Sequence, residues 1–568
     1  MLARLRSAVP CRFAFVFAML LLGVFSVPTM ARDRGKPDED KRPQPKIEIS
    51  EETTFITEPL TEGGYPDYPA ALNARMSEGV TPETNSFVLI WKAMGPRPEN
   101  VDKGFGDAMA EALGIDPLPE DGEYIISGGD FARQAAEAES AELTEQAVNQ
   151  RIEDFYEDQG KTSEGRWKAE DYPLVAEWVK ANEAPLKLVH EGVKRPDYFR
   201  PVVFSPSEKE FDQGRRLLIG VLLPDIQKSR EIARLLNTRA MLHLGEGRIE
   251  EARQDLLATH RLGHHVAQGW TLIEFLVGVA IDSIAYNAEA ALAISPQLTA
   301  EQAAAHKQAL QELGPTVTRA EMADLIDKGE RLMGLDSIIA LATNRVTAQE
   351  LAGGGGDDLS TKIINWLFGL GIDWNATLRV MNEAYDEITV TLQAEDKELR
   401  EQRFAELNEA LKKQAQGVQN WQNGVSFLLA GSTFRGEKLG EVLKALLLPA
   451  VHQVDRAWIR SEMRRQVTIV GFALAEYRQQ HKRYPAELND LVPAQLDKLP
   501  QDLYSGEPLK YHVSDDGLKM LVYSVGENGT DEAGRTYGES DGSTATADDL
   551  RIRAGFFVES APAENGQE

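Results

Sequence analysis

The chain has 568 residues, of which 42% are hydrophobic and 27% are charged. These fractions are close to those of ordinary globular proteins and exclude a wholly disordered chain. The 90 acidic residues against 61 Lys and Arg give a net charge of −29, and a surface this acidic repels the phosphates of nucleic acid and of anionic lipid. We therefore expect no nucleic-acid partner.

Residues 1–31 carry the three parts of a secretory signal peptide. Three arginines precede an apolar run over residues 13–27, and small residues stand just before Arg32, where a signal peptidase would cut. The alternative is an uncleaved membrane anchor with its arginines on the inner side. Both interpretations predict an exported protein, periplasmic or at the cell surface, which contacts the membrane only through this segment if the segment stays uncleaved.

The single cysteine, Cys11, lies inside the predicted signal. The exported chain is therefore expected to lack disulfides, a thiol nucleophile and a cysteine-based zinc site. Residues 32–60 are charged and contain prolines without apolar periodicity, which predicts a disordered tether. A disordered tail is predicted over residues 556–568.

Residues 61–450 have the periodicity of an irregular helical domain, with apolar residues three and four positions apart. One stretch has the spacing of a tetratricopeptide-like hairpin, in which Gly247 makes the turn and Ala240 and Ala252 allow two helices to approach closely. Four glycines at the start of residues 353–358 interrupt the helical pattern, and we expect a mobile loop there.

Two segments of this region resemble functional motifs, a histidine metal site and a prepilin start, but each also has a simpler structural explanation. His260 and His264 would share one helix face as metal ligands do, but no HExxH motif includes them and packed or surface histidines, His265 among them, explain the pattern as well. The sequence GWTLIEFLVGVAI at 269–281 is very like the start of a type IV prepilin. It lies deep inside the chain and its apolar run stops at Asp282, which predicts a buried core helix.

The C-terminal part, residues 451–555, has a different pattern. An apolar stripe from Ile459 to Tyr477 predicts a long helix. Two short strands are predicted over 509–513 and 519–524, because an Asp-Gly pair between such runs is a strong hairpin signal. We therefore expect an α+β unit in which a long helix covers a small antiparallel sheet.

The order of motifs in this unit resembles the globular domain of the type II secretion major pseudopilin. The matching segments are ALAEYR at 473–478, RYP at 483–485, LPQDLY at 499–504, GEPLKY at 506–511 and YSVG at 523–526. The resemblance implies a pseudopilin-like fold and association with secretion-assembly or other envelope proteins. The membrane helix with which a pseudopilin begins does not precede this unit, so a filament subunit is not expected.

The acidic loop after the second strand is rich in the oxygen ligands that calcium takes from flexible backbone. The pseudopilin family binds calcium in the corresponding loop, so the resemblance implies a calcium site here. Carried onto this sequence, its ligands are Asp531 and Asp548, with Asn528 and Asp549 as further candidates. The alternative is a solvated acidic turn that binds nothing.

The segments PLTEGGYPDY at 59–68, WVKANE at 178–183 and GEGR at 245–248 resemble exported, uncharacterised bacterial proteins that end in the same unit. No nucleophile elbow, phosphate loop or dinucleotide motif appears in the sequence. We therefore expect an exported, non-catalytic scaffold or binding protein. The alternative is an extracytoplasmic hydrolase in the helical domain, for which carboxylate pairs such as Glu246 with Glu250 or Glu274 with Asp282 could serve.

Overall fold

The computed structural model describes residues 45–98, 101–140, 143–204, 216–221, 223–346, 371–407, 409, 431–536 and 548–555. The predicted signal segment, the Gly-rich loop at 353–358 and the predicted tail at 556–568 lie outside these ranges. Within them the chain is mainly helical, and a three-stranded antiparallel sheet lies near the C-terminal end. This architecture confirms the predicted fold class.

The helices are named in chain order, beginning with seven that precede residue 200. They are α1 (Tyr68–Met76), α2 (Ser86–Met94), α3 (Lys103–Ala112), α4 (Gly128–Glu139), α5 (Glu145–Glu164), α6 (Pro173–Ala181) and α7 (Glu183–Gly192). The later helices are α8 (Pro224–Gly245), α9 (Ile249–Ala267), α10 (Leu272–Ala293), α11 (Ala300–Leu313), α12 (Arg319–Leu325), α13 (Arg331–Ala342), α14 (Trp374–Gln393) and α15 (Ser432–His481).

Helices α8 and α9 form a helical hairpin where the sequence predicts one. Gly247 has a φ of +78° in the turn, a conformation that glycine adopts without a steric penalty. Ala240 and Ala252 are completely buried where the two helices meet. Small side chains at this contact let the helix axes approach, as the sequence predicts.

Helix α10 contains most of the prepilin-like segment and packs against α9 on one side and α15 on another. Its start is fixed by a capping box, in which Thr271 and Glu274 each bond the other's backbone N–H. Among the described residues, α10 is the one helix long and apolar enough to cross a membrane, and 56% of its most apolar window is buried inside the protein. Asp282 and Glu289 are both fully buried on it.

Helix α15 is 50 residues long and links the two parts of the fold. Its N-terminal half packs on α14, and its C-terminal half packs on α10, α11 and the sheet. The predicted domain boundary at residue 451 falls inside this helix. Side chains also cross that boundary, since Arg319 on α12 reaches Asp455 at 2.7 Å.

The sheet is a meander of β1 (Lys510–Val513), β2 (Met520–Ser524) and β3 (Leu550–Ala554). Strands β1 and β2 agree with the predicted hairpin to within one residue. The alternation of β3 places Ile552 towards α15, where a side chain at Gly471 would clash with it. The sheet therefore lies against the helix as expected.

The larger of two hydrophobic core clusters runs from α2 to the sheet. One cluster of buried residues includes Phe87 on α2, Leu256 on α9, Val470 on α15 and Ile552 on β3. Residues 45–60 differ from the predicted tether, because Ile47 belongs to a second core cluster and the pair Thr53 and Thr54 is completely buried. Apolar periodicity could not predict this packing, since the contacts are made by single residues in an irregular segment.

Candidate metal centre

The acidic loop leaves β2 and returns to β3, and the pairing of these strands brings its two ends together. Ser524 is the register partner of Leu550. In an antiparallel pair the residues beyond such partners also lie side by side, so Asp548 and Asp549 lie next to the turn that follows Ser524. Strand register, not proximity in sequence, therefore assembles the site.

Three carboxylates converge at this point. One side-chain oxygen from each of Glu532, Asp548 and Asp549 lies within 4.8 Å of the other two. Glu532 is 5% exposed and Asp549 only 1% exposed. Three acids held this close in a buried position repel one another unless a proton or a cation lies between them.

Each of the three groups also has one oxygen without a hydrogen-bond partner among the described residues. These buried atoms are Glu532 Oε2, Asp548 Oδ1 and Asp549 Oδ1. The other oxygens are held in place: Glu532 Oε1 accepts from the Asn528 side chain at 2.7 Å, and Asp549 Oδ2 accepts from the Gly534 N–H at 2.7 Å. Asp548 Oδ2 is held in the same way by two backbone N–H groups, so the site has three fixed acceptors and three unused ones.

The pKa values reflect this crowding. Burial raises the pKa of Asp549 to about 8 despite the opposing hydrogen bond from Gly534, and a proton shared with the Glu532 carboxylate and the negative charges of Glu532 and Asp531 contribute to the rise. Burial also raises the pKa of Asp548. At neutral pH Asp549 therefore holds its proton, because burial and the neighbouring acids disfavour its charged form.

Gly526 allows the close approach of Asp548. It has a φ of +69°, and a Cβ at this position would lie 2.4 Å from Asp548 Oδ1. The second oxygen of Asp548 accepts from the N–H groups of Glu527 and Asn528 at 2.9 and 3.3 Å. A larger residue in place of Gly526 would displace the carboxylate from the site.

The four predicted calcium ligands occupy different places. Asp548 and Asp549 lie together with Glu532, and these three residues are called the carboxylate trio below. Asp531 lies apart from them, and its Oδ1 accepts from the Tyr523 hydroxyl and the Ala533 N–H, both at 2.9 Å. Asn528 bonds to Glu532 through its amide nitrogen, and its Oδ1 accepts from the Thr530 N–H. Glu532 was absent from the predicted set, although its position in the same acidic loop was a signal for it.

Two arginines of α15 lie beside the loop. Arg456 forms an ion pair with Glu527, and Arg460 acts electrostatically on Asp548 and partly offsets the rise in its pKa. Because Glu527 pairs with Arg456, its carboxylate contacts α15. The trio remains the group of carboxylates with unused oxygens.

The three histidines of α9 take part in the core of the helical region. His260 Nδ1 lies 2.5 Å from Asp282, and its Nε2 lies 3.1 Å from Glu289, which in turn is 2.6 Å from His306 on α11. His264 lies 3.7 Å from Asp282. Burial alone would lower the pKa of His260, but the two carboxylates outweigh it and raise the pKa to about 10. His260 is therefore a buried cation that joins three helices.

The carboxylate pairs considered for a hydrolase are occupied by structural contacts. Glu274 caps α10, and Asp282 accepts from Thr316 at 2.8 Å besides contacting His260. Glu246 and Glu250 form ion pairs with the neighbouring Arg248 and Arg253 respectively.

The known proteins give no further guide to the site. Comparisons with models of protein families, with curated proteins and with solved structures find no significant match to this chain. The chemistry of the site is therefore argued from its own residues.

Proposed function

We propose that the chain is an exported, non-catalytic binding protein whose C-terminal unit binds calcium and associates with envelope or secretion-assembly proteins. The observation that carries the proposal is the trio of Glu532, Asp548 and Asp549, with its three unused buried oxygens. A hard divalent cation accepts such oxygens and completes its shell of six to eight ligands with carbonyl groups or water. Calcium suits a long loop better than magnesium, which demands near-ideal octahedral geometry.

The proposed cation would connect the two ends of the loop. Glu532 lies on the outgoing part, whereas Asp548 and Asp549 lie directly before β3. A cation held by all three would stabilise the loop surface that follows β2 and would organise it for a partner. The resemblance to the major pseudopilin supports this role, since that family also carries calcium in the loop at this position.

The hydrolase alternative receives no comparable support. Its candidate carboxylates cap a helix or form ion pairs, as described above for Glu246, Glu250, Glu274 and Asp282. A catalytic carboxylate needs access to substrate, and Glu274 and Asp282 are both completely buried.

Two experiments, carried out one after the other, test the proposed function. Intact-mass analysis of protein from the native envelope should give a chain that begins at Arg32; a start at Met1 would favour the anchor instead. The exported chain, Glu532→Gln and the exposed control Asp515→Asn are then used as baits for envelope proteins, with calcium or with a calcium chelator.

We expect wild type and Asp515→Asn to retain components of a secretion assembly, identified by mass spectrometry, only when calcium is present. Glu532→Gln should retain them poorly in either condition. Retention by wild type that is the same with calcium and with chelator, or equal retention by wild type and Glu532→Gln when calcium is present, would contradict a calcium-dependent binding role.

A further inference from the structure

A cleft of about 340 Å³ lies between the segment that follows α7 and the C-terminal half of α9. Its polar lining consists of Lys194, Arg195, Arg261, His264, His265 and Gln268, and no carboxylate contributes to it. The volume falls at the lower end of the range of small-molecule sites. Such a lining is unexpected in a chain whose net charge is −29.

The cations of this cleft are not neutralised by the protein. Among the described residues, the side chains of Arg261 and Lys194 make no ion pair or hydrogen bond, whereas other arginines of this region are paired, such as Arg239 with Asp255 at 2.5 Å. Burial lowers the pKa of Arg261, and no neighbouring carboxylate offsets that effect. Arg261 and Lys194 line the same cleft as a third cation, Arg195, and an anion bound there would pair with charges that the described residues leave unpaired.

The wall of the cleft is held rigidly. Arg195 Nη1 donates to the backbone carbonyls of Pro82 and Asn85 at 2.7 and 2.9 Å. His265 is 8% exposed, stacks on Tyr198 and lies 3.3 Å from the Val193 carbonyl oxygen. These contacts fix the lining before any ligand arrives, which reduces the entropy lost on binding.

The carboxylates that act on the histidines of the cleft lie outside its lining. Asp282 and Glu321 act electrostatically on His264, and Asp197 acts on His265. None of the three lines the cleft. The charged side chains that line the opening are therefore Lys194 and the two arginines, and Asp282 reaches only the lining histidine His264, at 3.7 Å.

We propose that this cleft binds a small multivalent oxyanion, either a phosphate compound or a dicarboxylate. The planar guanidinium of Arg261 offers paired N–H donors that match two oxygens of such an anion. Lys194 supplies a flexible point charge from the opposite wall. The site is separate from the carboxylate trio and does not depend on calcium.

The test is a calorimetric titration of the full exported chain in a metal chelator at constant ionic strength. Inorganic phosphate, pyrophosphate and malonate are the ligands, and chloride is the reference anion. We expect saturable binding of at least one of the three, and we expect Arg261→Gln and Lys194→Gln each to weaken it about tenfold or more, as for the loss of a charged hydrogen bond. The control Arg151→Gln removes an exposed arginine elsewhere and should bind as wild type does.

Preference for phosphate or for malonate would identify which kind of oxyanion the cleft takes. Absence of saturable binding for all three ligands would overturn the proposal, and so would equal affinity in wild type and both variants. If Arg261→Gln fails to fold, Lys194→Gln still decides the question because Lys194 is exposed. The chelator keeps this outcome independent of the calcium site.

Discussion

Lys307 on α11 and Glu476 on α15 form a buried ion pair between the helical region and the helix that carries the sheet. Their Nζ and Oε2 atoms are 2.7 Å apart, and the two side chains are 9% and 11% exposed. Lys307 also donates to the carbonyl oxygen of Gln495 beyond the end of α15. The pair ties residues on both sides of the predicted boundary at 451 into one packed unit.

Replacement of Lys307 by Met should destabilise the whole protein. Glu476 would keep its charge in a buried position with the Gln480 amide as a hydrogen-bond donor but without a cation, and loss of one partner of a buried ion pair typically costs about 3–5 kcal/mol. Urea unfolding of residues 32–568 measures the effect. The matched control is Lys168→Met, which alters a surface lysine and should leave the free energy of unfolding unchanged; equal stability of the two variants would show that the buried pair contributes little.

The long helix also shows where sequence reasoning succeeds and where it stops. The apolar stripe from Ile459 to Tyr477 and the Asp-Gly hairpin are local patterns, and both led to elements that the structure contains. The continuation of α15 through Pro449 was not predicted, because proline usually ends a helical segment. Strand β3 was also missed, although Leu550, Ile552 and Ala554 alternate with arginines as a half-buried strand does.

The contacts within the candidate sites were harder to predict because they join residues far apart in the chain. Asp548 meets Gly526 only through the pairing of β2 with β3, and His260 meets Glu289 only through the packing of α9 on α10. The composition of the acidic loop predicted oxygen ligands in general. It did not predict which three would converge, since that depends on strand register.

Substitution of His260 by Gln should be strongly destabilising. It removes the cation between Asp282 and Glu289 and leaves two buried carboxylates, so we expect a loss of about 3–5 kcal/mol. Equilibrium unfolding in urea, with the exposed His512→Gln as control, measures it. Adding Glu289→Gln to the first variant should recover part of the loss, because one uncompensated charge is then absent; a purely additive double variant would contradict this charge pairing.

Glu330 should make stability depend on pH. It lies at the end of a π-helical segment (Ile326–Glu330), and its Oε1 accepts from the Leu272 N–H at 2.7 Å. Burial, reinforced by Glu274, raises its pKa from 4.5 to about 7. The folded protein thus holds a proton that the unfolded chain releases between these values, so the contribution of Glu330 to stability falls as the pH rises through this window.

The variant Glu330→Gln has no such charge to bury. We compare the free energy of unfolding of Glu330→Gln with that of wild type. The variant's value minus the wild-type value should rise by up to about 3 kcal/mol between pH 4.5 and pH 8. Melting curves of both proteins across this range provide the measurement. A difference between them that does not change with pH would show that Glu330 titrates as an exposed glutamate does.

Calorimetric titration of calcium into residues 32–568 tests the central claim most directly, with Glu532→Gln and Asp515→Asn titrated in parallel. We predict one saturable calcium site per chain in wild type and in Asp515→Asn, with much weaker binding of magnesium. At a hundredfold excess over Kd, calcium should also stabilise both proteins by about 2.7 kcal/mol. In Glu532→Gln the binding should be lost or greatly weakened. No saturable calcium binding by wild type, or equal binding by Glu532→Gln, would contradict the account.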